Sequence, residues 1–201
     1  MYFQRKEKPP RQKKYQNYKP YLRRDFLYRC AYCQIHEAHY GGLRNFHVDH
    51  FRPKKKFPRL ALAYKNLYYA CGLCNTLKGD AWPSEKESIA GFRFVDPCTE
   101  DAYQIHFAVN EKDGSLSGRT EAGRYTRMHL LLDRGHLRKH RLRQAEKRQK
   151  WQEVRELLDS PGLDPAWVAN AKEVMAEIER DYINPAPPYD IDDLRRQKQH
   201  E

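Results

Sequence analysis

The chain has 201 residues, with 38 Lys and Arg against 27 Asp and Glu for a formal charge of +11, and a mean hydropathy of −1.02. That length holds one core, or one core with an appended module, rather than several independent domains. No apolar run approaches the roughly 18–20 residues that span a bilayer, and Met1-Tyr2-Phe3-Gln4-Arg5-Lys6 has no apolar stretch behind it to serve as a secretory signal. The expectation is a non-membrane protein of the cytoplasm whose charge favours polyanions.

Residues 1–24 hold nine Lys and Arg against Glu7 alone, are interrupted by Pro9, Pro10 and Pro20, and lack apolar periodicity, which predicts a basic flexible arm. A short apolar segment, Leu22 to Tyr28, leads into Cys30-x-x-Cys33. Phe46-His47-Val48-Asp49-His50-Phe51 alternates like a half-buried strand and ends at Arg52-Pro53. After Lys54-Lys55-Lys56, Asn66-Leu67-Tyr68-Tyr69-Ala70 reads as a second strand, and Cys71-Gly72-Leu73-Cys74-Asn75 as the turn into a short helix, giving a β-β-α order.

Two more strands are predicted around Tyr103–Val109 and Leu116–Thr120, with Asp113-Gly114 as the hairpin signal between them. From Arg138 to Leu158 no Gly or Pro intervenes, and Leu142, Ala145, Trp151, Val154 and Leu158 form a narrow stripe on a charged helix. Ser160-Pro161-Gly162 breaks it. Asp164-Pro165 then supplies an N-cap and first-turn proline for a helix with Trp167, Ala171, Val174, Met175, Ile178 and Tyr182 at helical spacing. The predicted division is an arm over 1–24, a core over 25–95, a hairpin and connecting segment over 96–137, helices over 138–184 and a tail over 185–201.

The positive charge is concentrated at two places. Residues 138–150 hold seven basic residues against Glu146, whereas 151–201 hold six against twelve acids. The basic helix suits either a phosphate backbone or a solvated face. The stripe from Trp167 to Tyr182 suits either core packing or a docked partner.

Four of the five cysteines form two Cys-x-x-Cys pairs, Cys30/Cys33 and Cys71/Cys74. In a reducing compartment this is the ligand set of a closed tetrahedral zinc site, which would tie together the ends of a long segment with little local structure. Unrelated buried thiols or a redox pair are the alternatives, and His36 or His39 could replace one thiolate. Cys98 lacks a partner and reads as a passive small residue. His106, His129, His136 and His140 have no acidic or cysteine companion at ligand spacing.

The string Cys30-x-x-Cys33, Asp49-His50-x-x-Pro53, Asn66-Leu67 and Cys71-x-x-Cys74-Asn75-x-x-Lys78 resembles the HNH endonucleases with zinc knuckles, over about residues 28–80. His-Phe-Arg-Pro-Lys at 50–54 and the later Asp96-Pro97 through Thr126, Leu130-Leu131-Leu132-Asp133 and Leu137-Arg138 are similar to HNH proteins found with defence ATPases (Septu-like) and with retrons. The resemblance implies an α+β protein with a ββα-metal (His-Me finger) core, structural zinc knuckles, an extra β-hairpin and C-terminal α-helices. It implies a metal-dependent endonuclease acting on DNA in prokaryotic anti-phage defence, with RNA, including tRNA, left open. An ATPase partner docking on the C-terminal helices is a further implication.

Phosphodiester hydrolysis needs a base for water, a cation for the developing charge and donors that hold the phosphate. On the family's pattern His50 is the base, Asp49 and Asn75 are the ligands of Mg²⁺ or Mn²⁺, and Asn66 fixes the loop that orients His50. Arg52, Lys54 and Lys78, with Lys55 and Lys56, are then the phosphate contacts. His47 shares the Asp49 face and is either a third metal contact or simply packed. In an ideal strand Asp49 and His50 face opposite sides, so both reach one phosphate only if the strand bends or ends there. A zinc-stapled module that binds nucleic acid without cutting it is the competing reading.

Overall fold

The computed structural model describes residues 3–183; the tail expected over 185–201 lies outside them. Helix α1 (Lys19–Asp25) is followed by the first cysteine pair, then β1 (Phe46–His50) and β2 (Leu67–Cys71), then α2 (Gly72–Lys78). The two strands pair antiparallel, with Phe46 opposite Cys71 and His50 opposite Leu67. Every residue of β2 is buried, because the strand is covered on both faces, and its aromatic side chains fill that space. Phe46 stacks on Tyr69 at 4.8 Å and Phe51 on Tyr68 at 4.8 Å. Ala31 N–H donates to the Tyr69 carbonyl at 2.8 Å, so the first knuckle is stitched to β2.

The N-terminal segment is not a flexible arm. Phe3 is buried in the core and its N–H donates to the Pro97 carbonyl at 2.8 Å. Arg5 donates to the Leu67 carbonyl at 2.7 Å and lies over the rings of Phe26 and Tyr68. Asp25 accepts from the Lys6 and Glu7 N–H groups at 2.9 Å each, and from the Tyr64 hydroxyl at 2.7 Å. In α1, Arg23 is paired with Glu37, a carboxylate that also accepts from Tyr69, and both charged side chains are almost fully buried. Isolated anchors at Phe3, Tyr18, Leu22 and Phe26 hold a segment whose composition is otherwise polar.

Beyond the core come α3 (Glu85–Ile89), closed by a capping box between Ser84 and Glu87, and α4 (Ala102–His106). The expected strand over Tyr103–Val109 is therefore helical in its first half. Asp101 accepts from Gln104 N–H and starts the helix, and only Phe107–Val109 remains as β3, paired with β4 (Leu116–Gly118). Gly114 closes the intervening turn at φ 68°, where a Cβ would stand 2.3 Å from the Arg138 carbonyl oxygen. His106, which has no acidic or cysteine companion at ligand spacing in the sequence, bridges Glu100 at 2.9 Å and Thr120 at 2.6 Å. Thr120 in turn caps α5 (Glu121–His129).

Helix α6 (Gly135–Leu158) and helix α7 (Pro165–Ile178), the latter capped by Asp164, form the C-terminal extension. Of α7 only Ile178 is buried, and Trp167 is 42% exposed. The turn Glu179–Ile183 ends the described chain. No helix among the described residues is long and apolar enough to cross a membrane.

Candidate active site and zinc centre

The four cysteines Cys30, Cys33, Cys71 and Cys74 are buried, and their sulfurs all lie within 4.8 Å of one another. A tetrahedral zinc with Zn–S of about 2.3 Å requires sulfurs about 3.8 Å apart, and the Cys33 and Cys71 sulfurs are 3.8 Å apart. The all-sulfur donor set and closed surroundings fit a structural zinc. Burial pushes the Cys30 and Cys33 thiols well up, while hydrogen bonds from the other three thiols pull Cys71 down; a divalent cation at the centre would hold all four as thiolates. Arg134 donates to the Cys74 sulfur at 3.4 Å, setting a cation beside a cluster that would carry net negative charge. The two histidines near the knuckle take other partners. His36 Nδ1 accepts from Ala38 N–H at 3.1 Å, and His39 Nε2 bonds the Asp181 carbonyl at 2.5 Å.

Asp49 and His50 occupy the last two positions of β1 and both are buried. Asp49 Oδ2 accepts from the Tyr32 hydroxyl and faces the Lys78 ammonium at 3.3 Å. Among the described residues no hydrogen-bond donor is placed on Oδ1. Because Tyr32 stands between Cys30 and Cys33, the zinc knuckle itself helps to set the carboxylate. Burial and the facing carboxylate both push the Tyr32 hydroxyl well up, so it stays a donor.

The His50 ring bonds the Ala61 carbonyl through Nε2 at 3.0 Å. A carbonyl only accepts, so Nε2 carries the proton and Nδ1 keeps a lone pair. Tyr15 packs against the same ring, edge to face, at 4.6 Å. Burial lowers the His50 pKa below its usual 6.5, against the raising effects of the Ala61 bond and of Asp49, which keeps the imidazole neutral near pH 7.

Asn66 accepts from Arg52 N–H at 2.9 Å and donates to the carbonyls of Arg52 at 3.0 Å and Leu60 at 3.3 Å. It pins both ends of the loop that presents the Ala61 carbonyl to His50. Asn75 is half-buried on α2. It lies three residues before Lys78 and so on the same helix face, the face whose ammonium reaches Asp49.

Lys78 does not serve as the expected phosphate contact. Its side chain is 0% exposed, and its ammonium donates to the His50 carbonyl at 2.6 Å as well as facing Asp49. Burial lowers its pKa, with Asp49 opposing. The lysine locks the end of β1 to α2. Arg52 and Lys54 are exposed, with the Arg52 guanidinium 5.6 Å from the Phe57 ring and 5.8 Å from the Trp82 ring, and the Lys54 ammonium 5.2 Å from the Tyr15 ring. Lys55 pairs with Asp80 at 2.7 Å, and Lys56 donates to the Trp82 carbonyl at 3.2 Å. His47 is exposed and its ring lies over Gly72 at the start of α2.

Tyr15 and Tyr32 carry no signal in the sequence. A cysteine knuckle gives no reason to single out the residue between its ligands, and Tyr15 lies in a stretch whose composition suggests an arm.

The HNH endonuclease family model matches residues 30–81. The chain is also 31% identical over 109 residues to Septu protein PtuB of Bacillus thuringiensis, an alignment covering 51% of this chain and 39% of that relative. The matched stretch thus spans about two-fifths of the relative's length. Both cysteine pairs, β1, β2, α2 and the pinned loop fall inside residues 30–81, and that segment is a domain of the HNH endonuclease family.

Proposed function

We propose that the chain is a metal-dependent HNH endonuclease that hydrolyses DNA phosphodiester bonds as the nuclease of an anti-phage defence system. The observation that carries the chemistry is the His50 ring, fixed by the Ala61 carbonyl in the tautomer whose Nδ1 can take a proton from water. Asp49, through Oδ1, and Asn75 would hold Mg²⁺ or Mn²⁺, which would stabilise charge on the phosphate and leaving oxygen. Asn66 keeps the Ala61 carbonyl in place, and Lys78 and Tyr32 keep the Asp49 carboxylate aimed. Arg52 and Lys54, exposed beside His50, are suited to the phosphates that flank the scissile one. The defence role and a protein partner rest on the likeness to Septu protein PtuB. The sparsely buried α7 with its exposed Trp167 is a surface to which an ATPase partner could dock.

The test is relaxation of supercoiled plasmid by zinc-loaded protein with Mg²⁺ or Mn²⁺, alone and with its co-purified partner. Metal-dependent nicking that EDTA stops supports the reading. Tight DNA binding without nicking in every combination would replace it with the non-cutting module.

A further inference from the structure

The basic face of α6 encloses space that the His50 centre does not use. A cleft of about 330 Å³ lies between the first cysteine knuckle, α6 and Ile183, with Arg29, Gln34, His140, Arg141, Gln144 and Arg148 around it. The residues at 140, 141, 144 and 148 follow helical spacing on one side of α6. No carboxylate among the described residues lines the cleft.

Its cations are unusual in their surroundings. Arg29 is only 8% exposed, yet among the described residues its guanidinium bonds only carbonyls, those of Gln34 at 3.2 Å and Ile183 at 3.5 Å. Arg141 spends Nε and Nη1 on the carbonyls of Gly114 and Leu132. Its Nη2 makes an ion pair with Asp133 at 3.6 Å but no hydrogen bond among the described residues. His140 Nε2 is also buried, with no hydrogen-bond partner among the described residues. Burial and the neighbouring Arg148 depress the Arg29 pKa. A second cleft of about 460 Å³ beyond His140 repeats the pattern, with His39, His136, Lys139 and Arg143 and no carboxylate among the described residues.

Buried cations are ordinarily paired, because leaving one unpaired forfeits its solvation without return. Planar guanidiniums with free N–H groups match a tetrahedral oxyanion. We propose that the 330 Å³ cleft is a phosphate-binding site, separate from the His50 centre, in which Arg29, Arg141 and Arg148 take the oxygens of a phosphate. That phosphate belongs either to a nucleic-acid strand or to a free phosphorylated molecule. The site stands whether or not His50 is a catalytic base.

Isothermal titration of the full-length, zinc-loaded protein with inorganic phosphate, and separately with a short single-stranded oligonucleotide, at matched ionic strength in chloride, reads the site directly. The expected result is saturable phosphate binding in wild type and in His50→Ala alike. Arg148→Ala, at an exposed position, should weaken it about tenfold with an unchanged melting temperature. Competition between oligonucleotide and phosphate identifies the strand backbone as the source, and phosphate binding without competition identifies a free ligand. Absence of saturable binding in wild type, or Arg148→Ala binding as tightly as wild type, overturns the site. So does binding that appears only when Asp190, Asp192 and Asp193 are replaced by Asn, since the chain's own carboxylates would then be the occupants.

Discussion

Two stretches carry a strong excess of positive charge, residues 1–24 and residues 138–150, and the fold uses them in different ways. In the first, Arg5 lies among aromatic rings, Arg23 meets Glu37 in the core, and Phe3 and Leu22 are buried. In the second, no residue is buried; Arg138 and Arg141 pair with Asp133, and other cations stand in solvent or line clefts where no carboxylate lies among the described residues. Each stretch sets many cations against a single acid, so charge alone does not decide whether a basic segment holds the fold or meets a ligand. What decides is whether apolar anchors and acidic partners are within reach: Phe3, Leu22, Asp25 and Glu37 serve the first stretch, whereas among the described residues the second has Asp133 for Arg138 and Arg141 alone and no buried apolar anchor.

The largest effect that bears on this contrast comes from zinc. The first stretch packs on the core that the knuckles close, so a strong chelator should unfold the whole assembly, on the scale of about 10 kcal/mol that structural zinc sites contribute. Circular dichroism during chelation checks this, and a chelated protein that keeps its cooperative melt would show that the N-terminal packing suffices without metal. Next is Arg23→Ala, which leaves Glu37 buried and uncompensated and should cost about 3–5 kcal/mol in urea unfolding. A loss below about 1 kcal/mol, the worth of an exposed pair, would return the N-terminal segment to the status of a loose arm. The smallest change in stability belongs to Lys139→Glu with Arg143→Glu on α6, within about 0.5 kcal/mol of wild type. These variants should nonetheless weaken nucleic-acid binding and flatten its salt dependence, the logarithmic slope falling by about one for every phosphate no longer neutralised. An unchanged slope would mean that this face of α6 meets no nucleic acid.

The zinc cluster and the ββα order are legible in the sequence because ligand spacing and alternation are local. Cys-x-x-Cys needs only a tight turn, and Phe46 to His50 alternates as a strand must. Lys78 is not legible, because a lysine three residues after Asn75 reads equally well as a surface cation; only the partner strand reveals that its helix face turns inward to Asp49. The helical start of the Tyr103–Val109 segment is hidden behind β-favouring residues, although Asp101 is an N-cap. The N-terminal anchors are too widely spaced to show a period, and their partners lie about 20 to 90 residues away. Such long-range pairing is what local pattern cannot supply.

The proposed base is His50, whose Nδ1 keeps its lone pair because Nε2 is held by the Ala61 carbonyl. The most direct measurement is single-turnover DNA cleavage by zinc-loaded protein with Mn²⁺, comparing wild type and His50→Ala, with zinc content checked and free imidazole added. The prediction is a rate loss of about 10²–10⁴-fold with unchanged zinc, partly restored by imidazole. Because burial lowers the His50 pKa, the wild-type rate should begin to fall only as pH drops below the ordinary imidazole value of 6.5. A correctly folded, zinc-replete His50→Ala that cuts at the wild-type rate would contradict the assignment.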